Sequence, residues 1–163
     1  MPATYEPIAT TTLSSASNTI DFTSITSSYT DLRLIFAVSS VNSDNWARLR
    51  FNSDTGTNYS QTYITGDGTS ASASTTTSFT NLLLGYPSNV YPGLFIVDIL
   101  SYAGSTYKSC LISEAQDNNG SGQTRGWAGY WRSTSAITSI NIYFSGLTYS
   151  AGTTATLYGI LKA

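Results

Sequence analysis

The stretch Asp31-Leu32-Arg33-Leu34-Ile35-Phe36-Ala37-Val38-Ser39 decides the fold class. In an extended chain successive side chains point to opposite faces, so Leu32, Leu34, Phe36 and Val38 share one apolar face. The pattern recurs in Trp46-Ala47-Arg48-Leu49-Arg50-Phe51, where Ala47, Leu49 and Phe51 point one way and Arg48 and Arg50 the other. It recurs again with Ile140, Ile142 and Phe144, and around Cys110 with Tyr107, Leu111 and Ser113 as the apolar face. Further strands are predicted at 5–12, 18–22, 61–65, 76–84, 94–101, 123–132 and 154–162. Between them stand turn clusters such as Asp54-Thr55-Gly56, Asp67-Gly68, Tyr86-Pro87-Ser88-Asn89 and Asp117-Asn118-Asn119-Gly120. Apolar residues at helical spacing are absent.

About ten short strands at close spacing predict an all-β fold. The expected form is a single-domain antiparallel β-sandwich, jelly-roll-like, over residues 1–163, with an extended N-terminal arm over about 1–12. The run Gly93-Leu94-Phe95-Ile96-Val97-Asp98-Ile99-Leu100 is apolar on both faces and predicts a central strand covered on both sides. The polar tract 66–77 reads as a surface loop or hairpin tip.

Composition narrows the chemistry. Charged residues make up 10% of the 163 residues, against about 25% in ordinary globular proteins. Ser and Thr together number about 50, so hydroxyls replace the missing charge. With no His there is no Ser-His-Asp triad and no imidazole-bound zinc. One Cys excludes a disulfide framework and thiolate metal sites, so no metal and no cofactor are expected. A net charge of -2 and an isoelectric point near 4.7 argue against nucleic acid as a partner. The longest apolar run, 94–100, is too short to span a bilayer, and residues 1–8 lack a signal-peptide pattern, so no membrane partner is expected.

Three places invite a functional reading. Asp98 interrupts an otherwise apolar strand, and burial there requires a partner. Lys108, Arg33, Arg48, Arg50, Arg125 and Arg132 are the available cations, and a buried ion pair or an interface carboxylate is expected. In Trp127-Ala128-Gly129-Tyr130-Trp131-Arg132, the aromatics Trp127, Tyr130 and Trp131 offer either a sugar-stacking surface patch or core residues. The arm Tyr5-Glu6-Pro7-Ile8 is held extended ahead of Pro7 and could add to a neighbour's sheet edge. The Asp54 and Asp117 turns carry oxygen ligands but not the spacing of a calcium loop, and Asx-turns account for them. Glycosidase chemistry needs two carboxylates; with two Glu and no His, Asp98 and Glu114 are the best residues an enzyme could have, and no catalytic role is assigned.

Several stretches resemble small virion structural proteins of tailed bacteriophages, cyanophages included. They are 5–13 (Tyr5-Glu6-Pro7-Ile8 onward), 28–34, 49–60 (Leu49-Arg50-Phe51-Asn52-Ser53-Asp54-Thr55-Gly56 onward), 102–109, 131–140 and 151–160. The resemblance runs nearly the whole chain in order and skips 66–91. It implies a non-enzymatic protein located in the virion, with phage structural proteins as partners. A capsid decoration or cement protein is the favoured form: a homo-oligomer, a trimer by the symmetry of capsid three-fold positions, bound to the major capsid protein. The alternative is a tail fibre or tail-tip module that binds host surface glycan through Trp127, Tyr130 and Trp131.

Overall fold

The computed structural model describes residues 4–161. Among them are twelve strands and no helix: β1 Tyr5–Thr12, β2 Thr19–Phe22, β3 Asp31–Val38, β4 Ala47–Phe51, β5 Tyr59–Gly66, β6 Ala71–Phe79, β7 Leu82–Gly85, β8 Gly93–Leu100, β9 Lys108–Gln116, β10 Gln123–Trp131, β11 Ile140–Phe144 and β12 Thr154–Ile160. They form an eight-stranded sheet in the order β1-β12-β3-β8-β9-β10-β5-β6 and a four-stranded sheet in the order β2-β11-β4-β7. Every pairing is antiparallel. The all-β sandwich expected from alternation is the architecture found. Its strands divide eight and four, and a jelly-roll arrangement is not confirmed.

Alternation explains the packing. Leu32, Leu34, Phe36 and Val38 of β3 are buried, as are Ala47, Leu49 and Phe51 of β4 and Ile140, Ile142 and Phe144 of β11. Each fully buried side chain of this size contributes about 1.5–3 kcal/mol of apolar transfer energy. Aromatic rings fill the space between the sheets: Tyr149 stacks on Phe144 at 5.1 Å and meets Phe36 edge-on at 5.2 Å. Trp131 packs on Phe51 at 5.6 Å and on Tyr59 at 6.4 Å. Gly85 is required by this density, since a Cβ there would lie 2.2 Å from the Phe95 ring.

Five expectations are corrected. Residues 5–12 are β1, paired with β12 of the same sheet from Tyr5↔Ile160 to Thr12↔Thr154, so the arm is an edge strand of its own sheet over its described part. Residues 1–3 lie outside the described residues. The tract 66–77 is a turn followed by strand β6, while the predicted strand 76–84 divides between β6 and β7. Around Cys110 the buried face is Lys108, Cys110, Ile112, Glu114 and Gln116, and Leu111 and Ser113 point outward. Finally, β8 is covered on one face only: Phe95, Val97 and Ile99 are buried, whereas Leu94 and Leu100 are 40% and 52% exposed.

Candidate interaction surface

The uncovered side of β8 belongs to the outer face of the eight-stranded sheet. Registers place its side chains in rows that cross the sheet. One row runs Pro7, Tyr158, Arg33, Asp98, Leu111, Ala128, Thr62 and Thr75. The next runs Thr10, Thr156, Ile35, Ile96, Ser113, Gly126, Ile64 and Ala73. Eight strands set about 4.8 Å apart and four rows about 6.8 Å apart cover about 35 Å by 25 Å. That is about the 800 Å² per partner of a standard protein interface.

Charge is nearly absent from this face. Among the described residues the outward charged side chains on its strands are Asp31, Arg33 and Asp98, and the exposed Asp67 and Asp117 stand in turns at its rim. Arg33 donates Nε to Asp98 Oδ1 at 2.6 Å and Nη2 to Oδ2 at 2.8 Å, directly across the β3–β8 ladder. The two side chains are 34% and 23% exposed, so the pair is a half-buried surface pair and not a buried one. Tyr5 lies under the guanidinium at 5.6 Å. Asp31 accepts the Ser101 N–H at 2.6 Å. Leu94, Leu100, Leu111, Ile64 and Tyr130 stand exposed around these groups. The outer face of the small sheet is different: it carries Asp21, Arg48, Arg50 and Asn141, with Arg50 over the Tyr143 ring at 4.4 Å.

Small residues make the large face concave at one end. A hollow of about 630 Å³ is lined mainly by small and apolar residues such as Ile64, Gly66, Ala71, Ala73 and Gly126, and Arg125 also borders it. A second, of about 680 Å³, lies between Leu94, Ala115 and Thr124 and the turns at Asp67 and Asp117. Leucine or phenylalanine at Gly66, Gly126 or Ala115 would fill these hollows.

Of the two readings of the Trp127–Trp131 stretch, core residues are what the structure shows for both tryptophans. Trp127 and Trp131 are 1% and 2% exposed, because their parity on β10 faces the small sheet. Trp131 Nε1 donates to Asp54 Oδ2 at 2.7 Å, which fixes the ring as a core residue. Tyr130 alone of the three points outward, 48% exposed. Asp54 also accepts from Gly56 N at 2.8 Å and Asn58 Nδ2 at 2.9 Å, the Asx-turn chemistry read from the sequence.

The structure adds a polar cluster that the sequence reading did not assemble. Between the sheets at one end, Glu114 and Arg125 face each other across the β9–β10 ladder. Arg125 Nη1 donates to both Glu114 oxygens at 2.9 and 2.8 Å, and Tyr86 N–H reaches Oε1 at 3.2 Å. The guanidinium sits over Trp46 at 5.2 Å and Tyr86 at 5.8 Å, and its Nη2 donates to Gln123. Burial raises the Glu114 carboxyl above its ordinary value, opposed by the Arg125 and Tyr86 bonds. These groups satisfy one another and plug the end of the sandwich. The signal available was the shared parity of Cys110, Ile112 and Glu114.

Lys108 is fully buried, and its Nζ donates to the carbonyls of Gly104 and Thr106 at 2.6 and 2.5 Å. No group of three or more His, Cys, Asp or Glu among the described residues could hold a metal ion. Comparison with protein-family models, with curated proteins and with solved structures finds no match to this chain.

Proposed function

We propose that this protein is a non-enzymatic structural component of a phage virion that decorates the assembled capsid, docking through the outer face of its eight-stranded sheet onto the major capsid protein. One observation carries the docking reading: a face of interface size whose strand-borne charges are already paired or capped within the chain, with the exposed Asp117 at its rim. Burying such a face leaves no uncompensated ion behind, which is the main cost of burying polar surface. The sequence resemblance supplies the virion context. A protein that binds only the assembled shell stabilises it by mass action, and repeated copies add their contributions across the lattice. Attachment through apolar and hydroxyl groups resists salt, since charge screening acts on ions. The glycan alternative loses its platform with Trp127 and Trp131 in the core.

The test uses purified particles and the full chain. Many copies per particle, retained in molar salt, and a shell that disrupts at lower temperature without them are expected. Leu111→Lys places a charge at the centre of the face on a side chain 57% exposed. It should leave folding within about 0.5 kcal/mol of the parent and weaken attachment about tenfold or more. A copy number matching a single tail vertex, or stripping by salt with Leu111→Lys still bound, would sink this reading.

A further inference from the structure

The two edges of the eight-stranded sheet are built differently. β1 carries Glu6, Pro7 and a register shift between Pro7 and Ala9. Charge, proline and bulges are the devices that stop an edge from recruiting another strand. At the other edge, β6 begins Ala71-Ser72-Ala73-Ser74-Thr75-Thr76-Thr77, with no charge and no proline. It pairs regularly with β5 from Gly66↔Ala71 to Gln61↔Thr76, and among the described residues no strand lies on its other side. The irregular Ser78, with φ 59, comes only after this stretch. All of these residues are exposed but Thr76, which is half-buried.

We infer that β6 is a self-association edge, on which β6 of a second copy pairs antiparallel about a two-fold axis at Ser74. The strand's own composition selects a second copy as the occupant. Seven uncharged residues meet themselves without repulsion. With Ser74 facing its counterpart, Ala73 faces Thr75, Ser72 faces Thr76 and Ala71 faces Thr77, so each pair sets a small side chain against a β-branched one. Seven residue pairs give about seven ladder hydrogen bonds, one for each pair on average. This register matches residues of equal parity. Both outer faces therefore lie on the same side, and the two sheets become one of sixteen strands. The pairing rests on the edge alone and needs no shell, so its failure in solution leaves the docking reading standing. If both hold, the dimer presents two linked docking faces.

The experiment follows the full chain by sedimentation velocity from micromolar to near-millimolar concentration. A monomer–dimer equilibrium is expected. Ala73→Lys with Thr75→Lys brings four lysines together at the pairing line and should raise the dissociation constant about 100-fold. The low-concentration melting temperature should not move, because both positions are exposed. Ser74→Cys tests the register. Directly opposed residues sit about 4.5–5.5 Å apart at Cα, within disulfide reach. Cys110 does not compete, since it is buried and its thiol is pushed up to about 12. Ser74→Cys should cross-link about tenfold faster than Ser72→Cys. A monomer at every concentration, a dimer indifferent to the lysines, or equal cross-linking from Ser72→Cys would each overturn the inference.

Discussion

Replacing Arg125 by Ala tests the plug between the sheets. The Glu114 side chain is 0% exposed and that of Arg125 10%. Without the guanidinium, Glu114 keeps only the Tyr86 N–H. Breaking a buried ion pair by removing one partner costs about 3–5 kcal/mol. The lower figure applies here, because a hollow of about 230 Å³ reaches this cluster and lets water approach the orphaned carboxylate. For a chain of this length, 3 kcal/mol lowers the melting temperature by about 6–12 °C. The loss depends on pH with a definite sign. Burial holds the Glu114 carboxyl above its ordinary 4.5 in the folded protein, and losing Arg125 raises it further. The folded state then keeps a proton that the unfolded state releases. The associated stability is complete below pH 4.5 and is lost as pH rises through the folded value. Arg125→Ala should therefore be weakest near pH 8 and recover toward pH 4.5, and adding Glu114→Gln should restore much of the loss at pH 8. Urea denaturation at both pH values, run as a double-mutant cycle, measures the coupling. A loss below about 1 kcal/mol at pH 8, or an equal loss at both pH values, refutes the reasoning.

Two further outcomes follow from the core. Asp54→Ala leaves the Trp131 indole N–H without its acceptor and should cost about 2 kcal/mol, the range for a hydrogen bond to a charged group. Burial opposes the Asp54 carboxylate, but the Trp131, Asn58 and Gly56 donors outweigh it and hold the group below its usual range, so this stability is present above pH 3.8 and lost as pH falls through the folded value; acid denaturation of the variant should lack that component. Tyr149→Phe removes a hydroxyl that is buried without a protein partner while keeping the ring stacked on Phe144. It should be neutral or stabilising by about 1 kcal/mol in thermal denaturation, and a clear loss would mean that the hydroxyl is satisfied.

Strands β3, β4 and β11 are legible in the sequence because one face of each is buried and the other is not, which is the condition for period-2 alternation. β6 is not legible for the same reason: neither of its faces is buried, so Ser and Thr occupy both and no pattern marks a strand. Parity also has a limit. It groups Trp127 with Trp131 and separates Tyr130, as the structure does, but it does not say which group meets the core. The long apolar stretch of β8 misled in a related way, since Leu94 and Leu100 are apolar yet exposed and Ile96 is only half-buried. Asp98 needed a partner, and six cations were available. Only the β3–β8 register, which joins positions 65 residues apart, selects Arg33.

The unequal sheets connect these points. A four-stranded sheet cannot cover one of eight strands, and the large sheet extends past the core at the β6 end, whereas Ile8 of β1 still packs against the core. At the β1 end Pro7 and Glu6 close the edge. At the β6 end, nine residues are held by one neighbour and bury almost nothing. A strand in that position gains ladder hydrogen bonds on one side only, and a two-stranded ribbon without a covered face is marginal in water. The core does not need β6. An uncharged edge and an outer face with few charges meet along this strand, and contact with another chain on either side would bury what the small sheet leaves open. The proposed edge pairing and the proposed docking would use different atoms of β6, backbone for one and outward side chains for the other, so the two are compatible.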